Sequence, residues 1–381
     1  MTRADIVIVG GGIVGCSIAY HLAQRGMRRV VVLERSHIAS GATGRCGAGV
    51  RMQWGTKPNC LVMKESIRML ECLEQELCYP HGIAFKQKGY LFLAHSEAQL
   101  VQFQKNVQLQ NSLGIPSEIV GPREMKRIAP LLDTTGIVGG SYCSKDGHCD
   151  PFHTTRAYAL AAMRLGVTIL QHTELQSVTK RPEGTFRLST SAGEMEAPVL
   201  VNAAGAWSGH VGRMLGVELP VYSERHQILV TEQVERVLDP MIISLHEGLY
   251  CQQTPDGSFI MGLGDPNEPK GIDHGHTWQF LFAISRKIAR LLPGIAGVRI
   301  LRQWSGLYNM SPDRQAILGA VDDVPGFYVA CGFSGHGFMM APAISESMAD
   351  IILGGTPRVP IDVYGLDRFK NGNLFYEPSV V

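Results

Sequence analysis

Gly10, Gly12 and Gly15 stand at the G-x-G-x-x-G spacing, directly after the apolar run Ile6 to Val9 and directly before a segment of helical character. Each glycine has a separate part in holding a pyrophosphate. The first permits a tight turn, the second lets backbone approach the phosphates, and the third lets the helix pack against the strand. The helix start, at Ile13 and Val14, offers free N–H groups and positive dipole to the same anion. Glu34 closes the unit after a second apolar run, Val30 to Leu33. A carboxylate there accepts hydrogen bonds from both ribose hydroxyls and disfavours a 2′-phosphate, so the expected ligand is a dinucleotide other than NADP.

The elements that must position these groups alternate in style along the chain. Residues 36–55 are small and glycine-rich without a sustained apolar period, which suits close backbone approach to a ligand. Helical spacing of apolar residues follows over 61–77 and 97–113, with a strand at 89–94 between them. Asp150 and Pro151 open a helix that runs to about Leu165. A strand around Leu175 to Val178 and the run APVLVNAAGAWSG return to the opening style. From Tyr222 to Leu263, successive β-like runs separated by turn residues predict an antiparallel sheet forming one face of a cavity. Late in the chain, GFYVACGFSGHGFMMAPAISESMADIILGG (326–355) reads as strand, glycine turn and helix, a second version of the opening geometry. This order predicts an α/β fold in which a Rossmann-type dinucleotide domain (1–82, 148–216 and 320–381) interleaves with a substrate domain built on a mainly antiparallel sheet with helices (83–147 and 217–319).

Composition narrows the function. The chain has 381 residues, 45% hydrophobic and 18% charged, and suits about two compact domains rather than a disordered segment. Its formal net charge of +1 supplies no global field for nucleic acid or an acidic membrane surface. Arg123, Lys126 and Arg127 alternate with apolar residues as the solvated face of a short helix would. Nine cysteines without a C-x-x-C pair fit a reducing compartment. Cys143 and Cys149 flank Asp146 and His148, but the spacing matches no zinc pattern; the expectation is solvated turn residues and no metal. No run has the length of a transmembrane helix, and the glycine loop begins at once, leaving no room for a signal peptide. The expected location is the cytoplasm, with contact to the inner membrane only through an electron-transfer partner.

Together, the opening loop with Glu34, VNAAGAW (201–207), SPDRQAILG (311–319) and ACGFSGHGFMMAPA (330–343) resemble the D-amino-acid oxidase family of FAD-dependent enzymes. Within it, the chain is similar to the branch of sarcosine oxidase, glycine oxidase and the β subunit of dye-linked L-proline dehydrogenase. The resemblance implies FAD stretched along the first domain. Gly10, Gly12, Ile13, Val14 and Gly15 would hold the pyrophosphate, with Ser40 and Thr43 approaching it. Glu34 and Arg35 would lie at the adenosine and Val178 at the adenine. Ala204 and Gly205 would follow the middle of the cofactor, and Arg45, Cys46, Gly47, Trp207 and Gly306 would also contact it. Gly335, His336, Gly337, Phe338 and Met339 would face the flavin, where a helix start stabilises negative charge on the reduced ring.

The reaction this implies is hydride transfer from the α-carbon of a neutral amine to flavin N5, followed by imine hydrolysis. Its substrate would be a secondary or N-substituted amino acid such as sarcosine, iminodiacetate or L-proline. Sarcosine oxidases place a carboxylate-binding arginine where Arg51 stands, with another residue at Arg45; either arginine could instead pair ions at the surface. Tyr250 and Tyr308 either offer hydroxyls to the substrate or pack in the β-rich core. His226 and His336 are the histidines expected near the flavin, with a hydrogen-bonding role for His336 ahead of general-base catalysis. Relatives carry a lysine at Met339, an arginine at Tyr308, a flavin-linking cysteine at Gly306 and an oxygen-activating lysine near Met261. The departures imply dissociable FAD, a less cationic pocket, and either oxygen or a dye, quinone or further subunit as electron acceptor. Iminodiacetate would need a second cation, for which Arg45, Lys86 and His246 are candidates. The alternative is the β-type catalytic subunit of a hetero-oligomeric dye-linked amino-acid (L-proline) dehydrogenase, and after it a non-catalytic flavin-binding protein.

Overall fold

A computed structural model describes residues 2–378 as a mixed α/β molecule. Its first layer is a six-stranded sheet ordered Ile317–Ala320, Phe327–Cys331, Val199–Asn202, Ile6–Val9, Val30–Leu33 and Thr168–Leu170. All neighbours pair in parallel except Ile317–Ala320 with Phe327–Cys331. The strands at Ile6 and Val30 are buried on both faces, as their uninterrupted apolar runs require. Ile6, Ile8, Val30 and Val32 pack with the helices Ile13–Gln24, Pro151–Arg164 and Gly337–Ile352. Val7, Val9, Val31 and Leu33 pack on the other side with Leu175, Val178, Phe186 and Leu188 of a four-stranded sheet.

The second layer is an eight-stranded sheet in which Tyr222–Gln233 lies between Ile300–Met310 and Ser258–Leu263. The expected antiparallel pattern holds except at Met241–Ser244, which pairs in parallel with Tyr90–Ala94. Strand alternation splits its side chains. Leu91, Leu93, Ile242, Cys251 and Met261 enter an apolar core with the helix Trp278–Leu291, while Tyr90, Phe92, Met241 and Ile243 pack on the opposite face.

Helix ends largely follow the sequence signals. Asp150 caps Pro151–Arg164 by accepting from the His153 N–H at 2.7 Å. The helix expected at 61–77 starts earlier, at Lys57, because Thr56 is extended and Pro58 fits the first turn. Arg123, Lys126 and Arg127 lie on the short helix Pro122–Ile128 and are exposed, as expected.

The turn at Asp146 overturns one expectation. Asp146 and His148 are buried rather than solvated, since the strand Gly147–His148 pairs with Gly49–Val50 and draws the turn inside. No group of His, Cys, Asp and Glu suited to a metal occurs among the described residues.

Candidate active site

The opening loop has the geometry its glycines foretell. Gly10 has φ +115°, a region open to glycine, and a Cβ there would collide with the Ala203 carbonyl oxygen. A Cβ on Gly15 would strike the Gly10 carbonyl, so the helix can approach the strand only with glycine at that place. The Glu34 carboxylate closes the loop, accepting from the N–H groups of Gly11 and Ser36, each at 2.8 Å. Thr43 Oγ1 accepts from the Ile13 N–H at 3.2 Å, which brings its hydroxyl to the helix start, and Ser40 Oγ lies 3.4 Å from Glu34. Arg35 stacks over the Trp207 ring with 3.5 Å from its guanidinium carbon to the ring centre. Val178 is buried on the edge strand of its sheet, leaving one side of that strand's backbone without a strand partner. Glycine-only backbone, a helix start and a carboxylate thus fit the pyrophosphate and ribose of a dinucleotide.

A cavity of about 830 Å³, its open mouth included, lies between the glycine-rich segment, the last helix start and the eight-stranded sheet. The glycine-rich segment contributes Arg45, Cys46, Gly47 and Arg51, and the last helix start contributes Gly335, His336, Phe338 and Met339. The eight-stranded sheet supplies His226, Tyr250, Gly306 and Tyr308, together with Tyr90, Met241 and Ile243, which sequence reasoning missed. The signal for those three lies in sheet pairing, not in residue type. Ala204, Gly205 and Trp207 lie outside the cavity, on the turn after Val199–Asn202.

His226 is sandwiched between Tyr308, at 4.5 Å and 6° between rings, and Tyr250, at 5.8 Å and 11°. Its Nε2 is buried without a hydrogen-bond partner, and burial lowers its pKa to about 4, so the ring is neutral near pH 7. His336 meets Trp54 edge to face at 4.7 Å; burial, reinforced by Arg51, lowers its pKa to about 3. Gly335, at φ +92°, leaves room for the Tyr308 ring. Burial raises the Cys46 thiol to about 11, which keeps it protonated.

Arg51 is 3% exposed and lies 3.9 Å above the Trp54 ring. Its guanidinium donates to the Gln53 carbonyl, and burial lowers its pKa. Arg45, half-buried, donates to the carbonyls of Ser40 and Ser305, each at 3.2 Å. The other proposed cations fall elsewhere. Lys86 is exposed beside His148, and His246 is exposed and stacked on His95. Met261 is corrected too. In its antiparallel pairing Tyr250 faces Gly262, which turns Met261 towards Ile284 and Ile288 on the far side of the sheet. Ile260 instead comes near Gly47.

This arrangement of a dinucleotide cleft leading to a second glycine turn has a match along most of the chain. Residues 5–351 fit the family model described as FAD dependent oxidoreductase. The chain belongs to that family. This FAD dependent oxidoreductase is 30% identical to mitochondrial dimethylglycine dehydrogenase of Rattus norvegicus over 97% of its length. It spans 45% of that protein, under half of it. It is 27% identical to sarcosine oxidase subunit beta of Rhodobacter capsulatus, covering 98% of this chain and 91% of that one. The crystal structure of L-proline dehydrogenase from P. horikoshii superposes with a TM-score of 0.92 at 35% identity, covering 98% of this chain and 100% of that one. No helix among the described residues is long and apolar enough to cross a membrane.

Proposed function

We propose that this FAD dependent oxidoreductase oxidises the C–N bond of a secondary or N-substituted amino acid with one carboxylate and a small apolar body, as in L-proline or sarcosine. One observation carries the reading: a buried guanidinium, Arg51, opens on a cavity whose other walls are neutral or apolar except for Arg45. A substrate carboxylate would meet Arg51 in a setting where charge-assisted hydrogen bonds are strong. Met241, Ile243 and Tyr90 would surround the apolar body. The second carboxylate of iminodiacetate finds only Arg45, which is tied by its Nε and Nη1 to two carbonyls.

Bound FAD supplies the acceptor for the hydride lost from the substrate α-carbon, and water then hydrolyses the imine to carbonyl and amine. The chain's own part is to select and orient. Gly10, Gly12, Ile13, Val14, Gly15, Ser40 and Thr43 hold the pyrophosphate. Glu34, Arg35 and Val178 hold the adenosine, and Ala204, Gly205 and Trp207 line the middle. Arg45, Cys46, Gly47, Gly306 and the turn at 335–339 frame the flavin. His226 Nε2 accepts an N–H from the substrate amine and so orients its lone pair; the apolar walls, by penalising the charged form, favour the unprotonated, hydride-donating amine. Tyr250 and Tyr308 fix that imidazole by stacking. His336 keeps a structural role against Trp54. The cofactor-binding unit takes 1–82, 148–216 and 320–381, of which residues 1 and 379–381 lie outside the described residues; the substrate unit takes 83–147 and 217–319.

FAD is held without a covalent link, since Gly306 has no side chain and the Cys46 thiol is protonated. Acid precipitation should therefore leave the flavin in solution. The nine free cysteines favour a reducing compartment such as the cytoplasm.

A second reading concerns the electron acceptor. No cation from Ser258–Leu263 lines the cavity, so negative charge developing on oxygen lacks a partner there, and a dye, quinone or further subunit is favoured. Anaerobic mixing with L-proline, sarcosine, glycine, D-alanine and iminodiacetate tests both readings. L-Proline or sarcosine should bleach the flavin, and air should restore it slowly. Bleaching by iminodiacetate alone would refute the monocarboxylate pocket, and bleaching by none would refute the enzyme. Arg51→Ala should weaken affinity for the bleaching amino acid about 100-fold or more, as for a buried charge pair broken on one side.

A further inference from the structure

Residues 51–54 form no regular secondary structure, yet Arg51, Met52, Gln53 and Trp54 are all buried. A buried irregular segment needs partners for its polar groups, and here the Met52 N–H and the Gln53 side chain meet on one carboxylate. Asp146 Oδ1 accepts from the Met52 N–H at 2.7 Å, and its Oδ2 accepts from Gln53 Nε2 at 2.9 Å. The same Nε2 donates to the Tyr90 carbonyl at 3.0 Å, while Ser141 Oγ donates to Gln53 Oε1 at 2.8 Å. The Gln53 carbonyl, in turn, receives the Arg51 guanidinium, and Trp54 Nε1 donates to the Arg51 carbonyl at 3.0 Å. Asp146 is wholly buried and lines no part of the cavity, whereas Arg51 and Tyr90 both do.

We propose that Asp146, through Gln53, is a positioning residue that sets where Arg51 and Tyr90 stand in the cavity and so how tightly the substrate carboxylate is held. The proposal rests on the functional reading above. Both partners of Asp146 are donors, so the place calls for a side chain with two acceptors. Asparagine has its shape but only one acceptor, and would set its NH₂ against that of Gln53. Turning Gln53 over to relieve this would leave its oxygen facing the Tyr90 carbonyl. Ser141 holds the amide oxygen from the other side, while the acceptor-only Tyr90 carbonyl and Asp146 fix which way round it lies. The network therefore has one orientation, and both cavity groups inherit it.

The test compares Asp146→Asn, Ser141→Ala and Arg51→Lys in the flavin-loaded protein. Affinity is read for pyrrole-2-carboxylate, a flat monocarboxylate without an oxidisable sp³ C–H, from its perturbation of flavin absorbance. The limiting rate of anaerobic flavin reduction is read with the amino acid that bleaches wild type. Asp146→Asn should raise the Kd for pyrrole-2-carboxylate and the substrate KM about tenfold while the limiting rate changes less than about threefold. Ser141→Ala should shift the same two constants in the same direction by about threefold. An unchanged Kd in folded, flavin-loaded Asp146→Asn, with affinity lost in Arg51→Lys, overturns the positioning role alone. If Asp146→Asn does not fold, an unchanged Kd in Ser141→Ala overturns it. Unchanged affinity in Arg51→Lys overturns the functional reading instead.

Discussion

His21, His148, His226 and His336 share one electrostatic fate: burial holds each imidazole neutral, with pKa values of about 3, 4, 4 and 3 against 6.5 in solution. An unfolded chain takes up protons that these native residues refuse. Their stabilisation is complete above pH 6.5 and is lost as pH falls towards 4 and 3. Asp146 runs the other way, since burial raises its pKa from 3.8 to about 7; its contribution is present below 3.8 and is lost as pH rises through 7. Four histidines outweigh one aspartate in the overlap. The thermal midpoint should fall steadily between pH 6.5 and 4.5 in a calorimetric series. His21 has neither ring nitrogen hydrogen-bonded, so His21→Leu should make that fall shallower. An unchanged slope would remove His21 from the account. Residue chemistry of this kind was only partly legible in the sequence. Arg51, His226 and His336, singled out through the family resemblance, do line the cavity, but Asp146 looked like a turn residue because nothing local says that two distant strands bury it.

Elements were more legible, because strand, glycine turn and helix are local patterns. Faces were less so. Met261 misled because side chains alternate along a strand, and a register set by its neighbour decides which face each one takes. Tyr90, Met241 and Ile243 were overlooked for the same reason, as they reach the cavity through a parallel pairing between segments far apart in the chain. The run SPDRQAILG also proved to have an architectural part. Asp313 is buried, accepts from Ser311 Oγ at 3.2 Å and meets Arg368 at 2.8 Å, where the pair is 0% and 4% exposed. Arg368 also bonds the carbonyls of Tyr364 and Gln315, tying the 3-10 turns near the end of the chain to the strand at Ile317. Arg368→Ala leaves a buried carboxylate uncompensated and should cost about 3–5 kcal/mol, seen as a lowered thermal midpoint. A loss under about 1 kcal/mol would mean that water reaches Asp313.

At the scale of the whole molecule, the sequence showed that dinucleotide-type segments recur between other segments, and the sheet order explains why. Val199–Asn202 lies between Ile6–Val9 and Phe327–Cys331, so the sheet behind the proposed cofactor is completed by strands from both ends of the chain. During synthesis, the glycine loop leaves the ribosome well before the strands that complete its sheet, and then waits. Until Phe327–Cys331 emerges, Val199–Asn202 has a bare edge, and the turn at 335–339 does not yet exist. Such a partial chain presents an unpaired strand to its neighbours on the polysome. Chains stalled before Phe327 should therefore collect in the pellet without flavin, whereas chains stalled well beyond Ile352 should retain it. Capture of the cofactor then waits for a turn made about three hundred residues after the loop that holds its other end, and the supply of flavin matters most at that moment.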